Sequence, residues 1–157
     1  MTNAPTIHAT AVLVGAKAVL IRGASGSGKS RLVLALLQAA QAGQLAFARL
    51  VADDRAHVEA VHGRLLVRPA PALAGLLERR GLGIDRLEAE PVAAVGWVVD
   101  LAAEDASRLP EKDVQEAVIE GIRLPRLAVA SGEAALPLLL ALLQTSRGSN
   151  SRTGPAP

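Results

Sequence analysis

The feature that most constrains this chain is a run of three unlike segments within residues 11–43. They are the apolar stretch AVLVGAKAVLIR, the glycine- and serine-rich octet GASGSGKS, and the helix-forming stretch RLVLALLQAAQAG. The first segment reads as two short strands turning at Gly15-Ala16-Lys17. The third has no proline and ends at Gly43, a helix stop. A strand that passes through a glycine loop into an apolar helix commits the chain to an α/β layer arrangement.

The octet is Gly23-Ala24-Ser25-Gly26-Ser27-Gly28-Lys29-Ser30, a full match to G-x-x-x-x-G-K-[ST]. Its glycines let backbone N–H groups converge on phosphate oxygens, which a Cβ would obstruct. The helix beginning near Lys29 turns its positive end toward the same anion. Lys29 offers a point charge to the outer phosphates, and the Ser30 hydroxyl is a Mg²⁺ ligand. The strand before and the helix after are the context this motif requires, so a nucleoside triphosphate with Mg²⁺ is the expected ligand.

Composition closes off other classes. The chain has 157 residues, the length of one domain, and half of them are apolar. Cysteine is absent, which excludes disulfides, thiolate metal sites and cysteine nucleophiles, and fits a reducing cytoplasm. Residues 1–9 lack the charged and apolar regions of a secretory signal. The apolar run at 134–143 is about half the length that spans a bilayer, so a soluble protein without membrane attachment is expected. The net charge is +2, the 17 basic residues are dispersed, and Phe47 and Trp97 are the only aromatic residues. That pattern offers no stacking platform and no basic tract for nucleic acid.

Along the rest of the chain, residues 45–52 read as a strand running into Asp53-Asp54, and 57–68 as a hairpin turning at His62-Gly63. A helix is expected over 71–80, a buried strand over 91–101, and one or two strands over 116–130. A last apolar helix is expected over 134–144. Residues 145–157, TSRGSNSRTGPAP, read as a disordered tail, leaving 1–144 as one α/β domain with a mixed sheet and flanking helices.

A phosphate loop does not identify the group that receives the phosphoryl. Asp53 and Asp54 end an apolar strand, as metal-site carboxylates following such a loop do. Adjacent residues at a strand end point in different directions, so one can steady the metal while the other takes a hydroxyl proton. Asn3 and Asn150 are the only asparagines, so no N-K-x-D guanine reader is present, and no LSGGQ segment occurs; ATP is the expected nucleotide.

GASGSGKS, then LVADD, then LLERRGLGI at 76–84 together resemble the C-terminal catalytic domain of HPr kinase/phosphorylase, over roughly residues 7–140. The last segment fits the family's L-L-E-x-R-G-L-G-I motif. The resemblance implies a short form without the family's additional N-terminal domain. It implies a cytoplasmic, ATP- and Mg²⁺-dependent kinase that phosphorylates a serine of the phosphocarrier HPr. It further implies the reverse phosphorolysis and a hexameric homo-oligomer. Carried over residue by residue, His8 matches the active-site histidine, here followed by Ala9 rather than glycine. Lys29 matches the loop lysine, Ser30 a magnesium ligand, and Asp54 the carboxylate that exchanges the serine proton, with Asp53 its acidic neighbour. Glu78 matches a second magnesium-linked side chain, Arg80 lies in the segment tied to both reactions, and Arg108 matches a later active-site arginine.

Three points stand against or beside the resemblance. Glu133 sits where the family carries positive charge, which puts phosphorolysis in doubt. The stretch between the loop and Asp53 is longer than usual. On a regular helix Glu78 and Arg80 would diverge by about 200° and not share one phosphate. A small-molecule kinase and a non-catalytic nucleotide-binding module remain open as alternatives.

Overall fold

The computed structural model describes residues 6–79, 81–107 and 109–151. Its strands are β1 (Thr6–Ile7), β2 (Ala9–Val14), β3 (Lys17–Arg22), β4 (Ala48–Ala52), β5 (Ala56–Val61), β6 (Arg64–Pro69), β7 (Leu76–Arg79), β8 (Gly83–Arg86), β9 (Ala93–Asp100), β10 (Glu116–Ile119) and β11 (Ile122–Ala128). Two α-helices accompany them, α1 (Lys29–Gln41) and α2 (Ala135–Ser151).

Nine of these strands form one mixed sheet in the order β1-β5-β6-β9-β3-β2-β4, with β11 also on β9 and β10 on β11. β9 is the organising strand. β3 lies parallel along one side of it, while β6 (antiparallel) and β11 (parallel) share its other side. Because β3, β9 and β11 run the same way, Arg22, Asp100 and Ala128 finish at one edge of the sheet. The phosphate loop leaves from that edge, the usual place for ligands in α/β sheets.

Alternation along β3 divides the core. Ala18 and Leu20 face a cluster with Val58, Leu65, Val67 and Val98. Val19 and Ile21 face a second cluster, where α1 packs Leu32, Val33 and Leu36 and α2 packs Leu139 and Leu143. Each fully buried leucine contributes about 1.5–3 kcal/mol of transfer free energy. α1 closes at Gly43, whose positive φ lets Gln44 N–H reach back to the Ala39 carbonyl at 2.9 Å.

Two expectations change. The helix expected over 71–80 is not formed over the described residues 71–79: a single 3-10 turn at Pro71–Leu73 is followed by the β7–β8 hairpin, whose register pairs Glu78 with Ile84. Glu78 therefore sits on a strand, and the divergence drawn from a regular helix does not apply to it; Arg80 lies outside the described residues. The last helix runs to Ser151, so helical backbone continues seven residues past Gln144 into the stretch expected to be disordered; residues 152–157 lie outside the described residues.

Candidate active site around the phosphate loop

β3 delivers Arg22 directly into the loop, and Gly28 adopts φ 104° just before α1 begins at Lys29. A Cβ at Gly23 would run into the Ser27 hydroxyl, so a close approach within the loop itself requires glycine there. Lys29 is buried, and its Nζ donates to the Gly23 carbonyl at 2.7 Å and the Ala24 carbonyl at 3.1 Å. The side chain is thereby drawn back across the loop, with its charge held against the octet's own backbone.

β2 and β4 pair antiparallel, which sets Thr10 near Asp53. Asp53 is 6% exposed and accepts from three directions. Thr10 Oγ1 and Ser30 Oγ each donate to Oδ1 at 3.1 Å, and the Glu78 backbone N–H donates to Oδ2 at 3.1 Å. Asp54 turns the opposite way. Its φ of 68° is a left-handed conformation that aspartate tolerates better than most residues, and Arg55 N–H closes a tight turn on the Asp53 carbonyl at 2.8 Å. The Asp54 N–H is held by Thr10 Oγ1 at 3.1 Å, and its exposed carboxylate meets His8 Nε2 at 2.9 Å. The adjacent aspartates thus take different partners: Asp53 the loop serine, Asp54 a histidine and solvent.

A cleft of about 450 Å³ opens over this group, lined by Ser25, Gly26, Lys29, Ser30, Asp53, Asp54 and Glu78 among others. The exposed Glu78 side chain borders it, and Arg79 borders it too while pairing with Asp85 at 3.0 Å. Ser25, Gly26, Gly28, Lys29 and Ser30 of the octet therefore meet Asp53, Asp54 and Glu78 around one space, with His8 joined through Asp54, while Gly23, Ala24 and Ser27 do not line it. Arg80 and Arg108 lie outside the described residues.

Sequence reasoning missed Thr10, which joins both aspartates through one hydroxyl. Its signal was a lone polar residue in an apolar strand, in ATAVLV. It also missed an ion network where the parallel strands end. Arg22 grips Asp100 with two bonds, at 2.7 and 2.8 Å. Arg126 bonds the same carboxylate and grips Asp105 at 2.8 and 3.0 Å. Burial pushes the Asp100 carboxyl up, but the hydrogen bonds and charges of Arg22 and Arg126 outweigh it and hold the group below the ordinary aspartate range.

The model of the HPr Serine kinase C-terminal domain matches residues 1–89, a stretch that contains the loop, both aspartates and Glu78. The chain belongs to this family. The HPr kinase/phosphorylase of Clostridium beijerinckii is 37% identical over 78 residues, covering 50% of this chain and 24% of that protein. The enzyme of the same name from Streptococcus thermophilus is 42% identical over 80 residues, with 50% and 24% covered. The matched stretch thus spans about a quarter of these curated relatives. The solved structure of the Hpr(Ser) kinase/phosphatase from Coxiella burnetii superposes with a TM-score of 0.71 at 24% identity, covering 94% of this chain and 99% of that one. The shared fold therefore extends past residue 89 to include β9, β11 and α2.

For a hard dication the donor set is suitable. Asp53 and Ser30 present a carboxylate and a hydroxyl 3.1 Å apart, and Mg²⁺ commonly takes one or two such oxygens together with phosphate and water. The described residues hold no cluster of three acidic or histidine side chains able to cage a metal without other ligands.

Proposed function

We propose that this chain transfers the γ-phosphoryl group of ATP to a serine hydroxyl of the phosphocarrier HPr, acting in the cytoplasm. The observation that carries the reading is the split of the acidic pair: Asp53 bonded to the loop serine, Asp54 bonded to His8 beside the open cleft. Family membership and the names of the relatives support the partner.

Each residue then has a task. The loop backbone and Lys29 hold the outer phosphates, and Ser30 with Asp53 would hold Mg²⁺, with Glu78 assisting from the cleft wall. The chemistry supplied there when Mg²⁺ is bound would be neutralisation of charge on the phosphates. Asp54 accepts the proton as the serine oxygen attacks phosphorus, and the bond to ADP breaks. His8 fixes the Asp54 carboxylate through its Nε2 contact. Thr10 keeps the two aspartates in register.

A homo-oligomer accompanies this reading as a property of the family, and light scattering on the purified chain tests it. The kinase itself is tested by incubating the chain with γ-labelled ATP, with and without HPr. Label on an HPr serine is the expected outcome. Label on a small molecule, or retention of unreacted ATP, would favour a small-molecule kinase or a non-catalytic nucleotide module.

A further inference from the structure

Asp53 fastens the phosphate loop to β7. Its Oδ1 takes the Ser30 hydroxyl, and its Oδ2 takes the Glu78 N–H. The next residue is Arg79, which also lines the cleft. Alternation along β7 puts Arg79 on the same face as Leu77, a fully buried member of the cluster that α1 helps to form. Arg79 thus borders the cleft one residue beyond the N–H that Asp53 binds.

Arg79 commits one corner of its guanidinium. Nη1 donates to Asp85 across the hairpin at 3.0 Å. Nε is buried and has no hydrogen-bond partner among the described residues, which is costly for an N–H cut off from water. Asp53, Asp54 and Glu78 line the same cleft, yet none of these carboxylates accepts from Nε. Nε and Nη2 form the side-on edge of a guanidinium. Arg22 uses that edge to grip both oxygens of Asp100, at 2.7 and 2.8 Å. The same fork matches two oxygens of one phosphoryl group.

We infer that Arg79 is a further catalytic residue, which turns its Nε edge to the phosphoryl group as that group passes between ATP and the serine. The inference rests on the kinase reading. Three carboxylates face the cleft, so charge on the moving phosphoryl needs a cation beyond Lys29, whose Nζ is held by two loop carbonyls. Arg79 gives up no proton. It donates hydrogen bonds to the phosphoryl oxygens while the bond to ADP breaks, the serine oxygen bonds to phosphorus and Asp54 takes the serine proton. Asp85 holds the far corner and so aims the fork. Arg79 fills the x of L-L-E-x-R-G-L-G-I, so the motif itself does not call for this arginine.

The test compares Arg79→Gln, Arg79→Lys and Asp85→Asn in the full chain. Both positions are more than a third exposed, so the fold should survive each change. Turnover and the KM values for ATP and HPr are measured with γ-labelled ATP. Arg79→Gln should lower kcat by about 10²–10³-fold with both KM values within about threefold of the parent. Arg79→Lys keeps the charge but loses the fork, and should fall between the two. Asp85→Asn breaks the same ion pair but keeps the fork, and should stay within about tenfold of the parent. Parental kcat in Arg79→Gln overturns the inference. So does an equal loss in Arg79→Gln and Asp85→Asn, which would make the pair a brace for the hairpin. A raised KM for HPr at unchanged kcat also overturns it, since Arg79 would then hold the acceptor protein. A parent that moves no label onto HPr overturns the kinase reading instead. Arg79 is then decided by calorimetry of Mg·ADP with and without aluminium fluoride, a mimic of the phosphoryl in transfer. Fluoride should tighten ADP binding tenfold or more in the parent and not in Arg79→Gln; the same response in both overturns the inference.

Discussion

Ser30 Oγ donates to Asp53 Oδ1 at 3.1 Å, which joins the last residue of the phosphate loop to the end of β4. Twenty-three residues separate the two, and the bond places a metal-ligating hydroxyl and a buried carboxylate at one point. Thr10 supports the same carboxylate from β2, and through it the backbone of Asp54.

Replacing Thr10 by Val should weaken both stability and metal use. The change keeps the shape but leaves the Asp54 N–H without its acceptor and Asp53 with one donor fewer, at a cost of about 1–3 kcal/mol. For a chain of this size that is a fall in melting temperature of about 3–10 °C. The Mg²⁺ concentration for half-maximal transfer should rise, and Thr10→Ser should restore both quantities. Thermal melts and Mg²⁺ titrations decide it, and an unchanged Mg²⁺ requirement would remove Thr10 from the site.

Lys29→Ala should reduce transfer by on the order of 10²-fold or more, since the loop loses the charge proposed to move from the Gly23 and Ala24 carbonyls to the outer phosphates when nucleotide binds. The nearby Lys17 lies at the opposite end of β3 and cannot replace it. ATP binding should weaken in parallel. Undiminished transfer would contradict the loop assignment.

Asp100→Asn should destabilise the fold in a pH-dependent way. Arg22 and Arg126 hold the folded-state pKa of Asp100 below its ordinary value, so its contribution is present above about pH 4 and is lost as pH falls through the folded value. At pH 7 the variant leaves two half-buried arginines short of their partner, costing on the order of 3 kcal/mol. Melts taken at descending pH should show the gap to the parent closing below about pH 4. A gap independent of pH would mean the loss comes from packing.

Phosphorolysis should be slow relative to the kinase. Arg126, the basic residue of the 126–133 segment, is fully engaged by Asp100, Asp105 and the Val114 carbonyl, and Glu133 adds negative charge nearby. Neither favours free phosphate. Phosphoserine-HPr with millimolar phosphate should release pyrophosphate far more slowly than ATP is consumed forward; comparable rates would show that the segment does not limit the reaction.

The loop, the strands around it and the acidic pair were legible because their signals are local: glycine spacing, apolar runs, and carboxylates at a strand end. The β7–β8 hairpin was not. Leu76, Leu77, Glu78 and Arg79 are good helix formers, yet the Glu78 N–H is spent on Asp53, a partner 25 residues away that propensity does not register. Arg22, Asp100 and Arg126 were illegible as a group for the same reason, since 78 and 26 residues separate each arginine from the aspartate they share. Each ends or interrupts an apolar strand, and only the parallel register of β3, β9 and β11 brings them together.

The most direct measurement of the central claim is the rate of phosphoryl transfer from ATP to HPr by Asp54→Asn. The amide keeps the size of the side chain and a hydrogen bond to His8 but cannot accept the serine proton. With a general base lost, turnover should fall by about 10²–10⁴-fold, toward the lower figure if the transition state is loose. ATP affinity should change little, because the role proposed for Asp54 is toward the serine hydroxyl and its carboxylate is paired with His8. Near-parental transfer by Asp54→Asn, alongside loss of transfer in Asp53→Asn, would contradict the division of the pair, and near-parental transfer in both would contradict the mechanism.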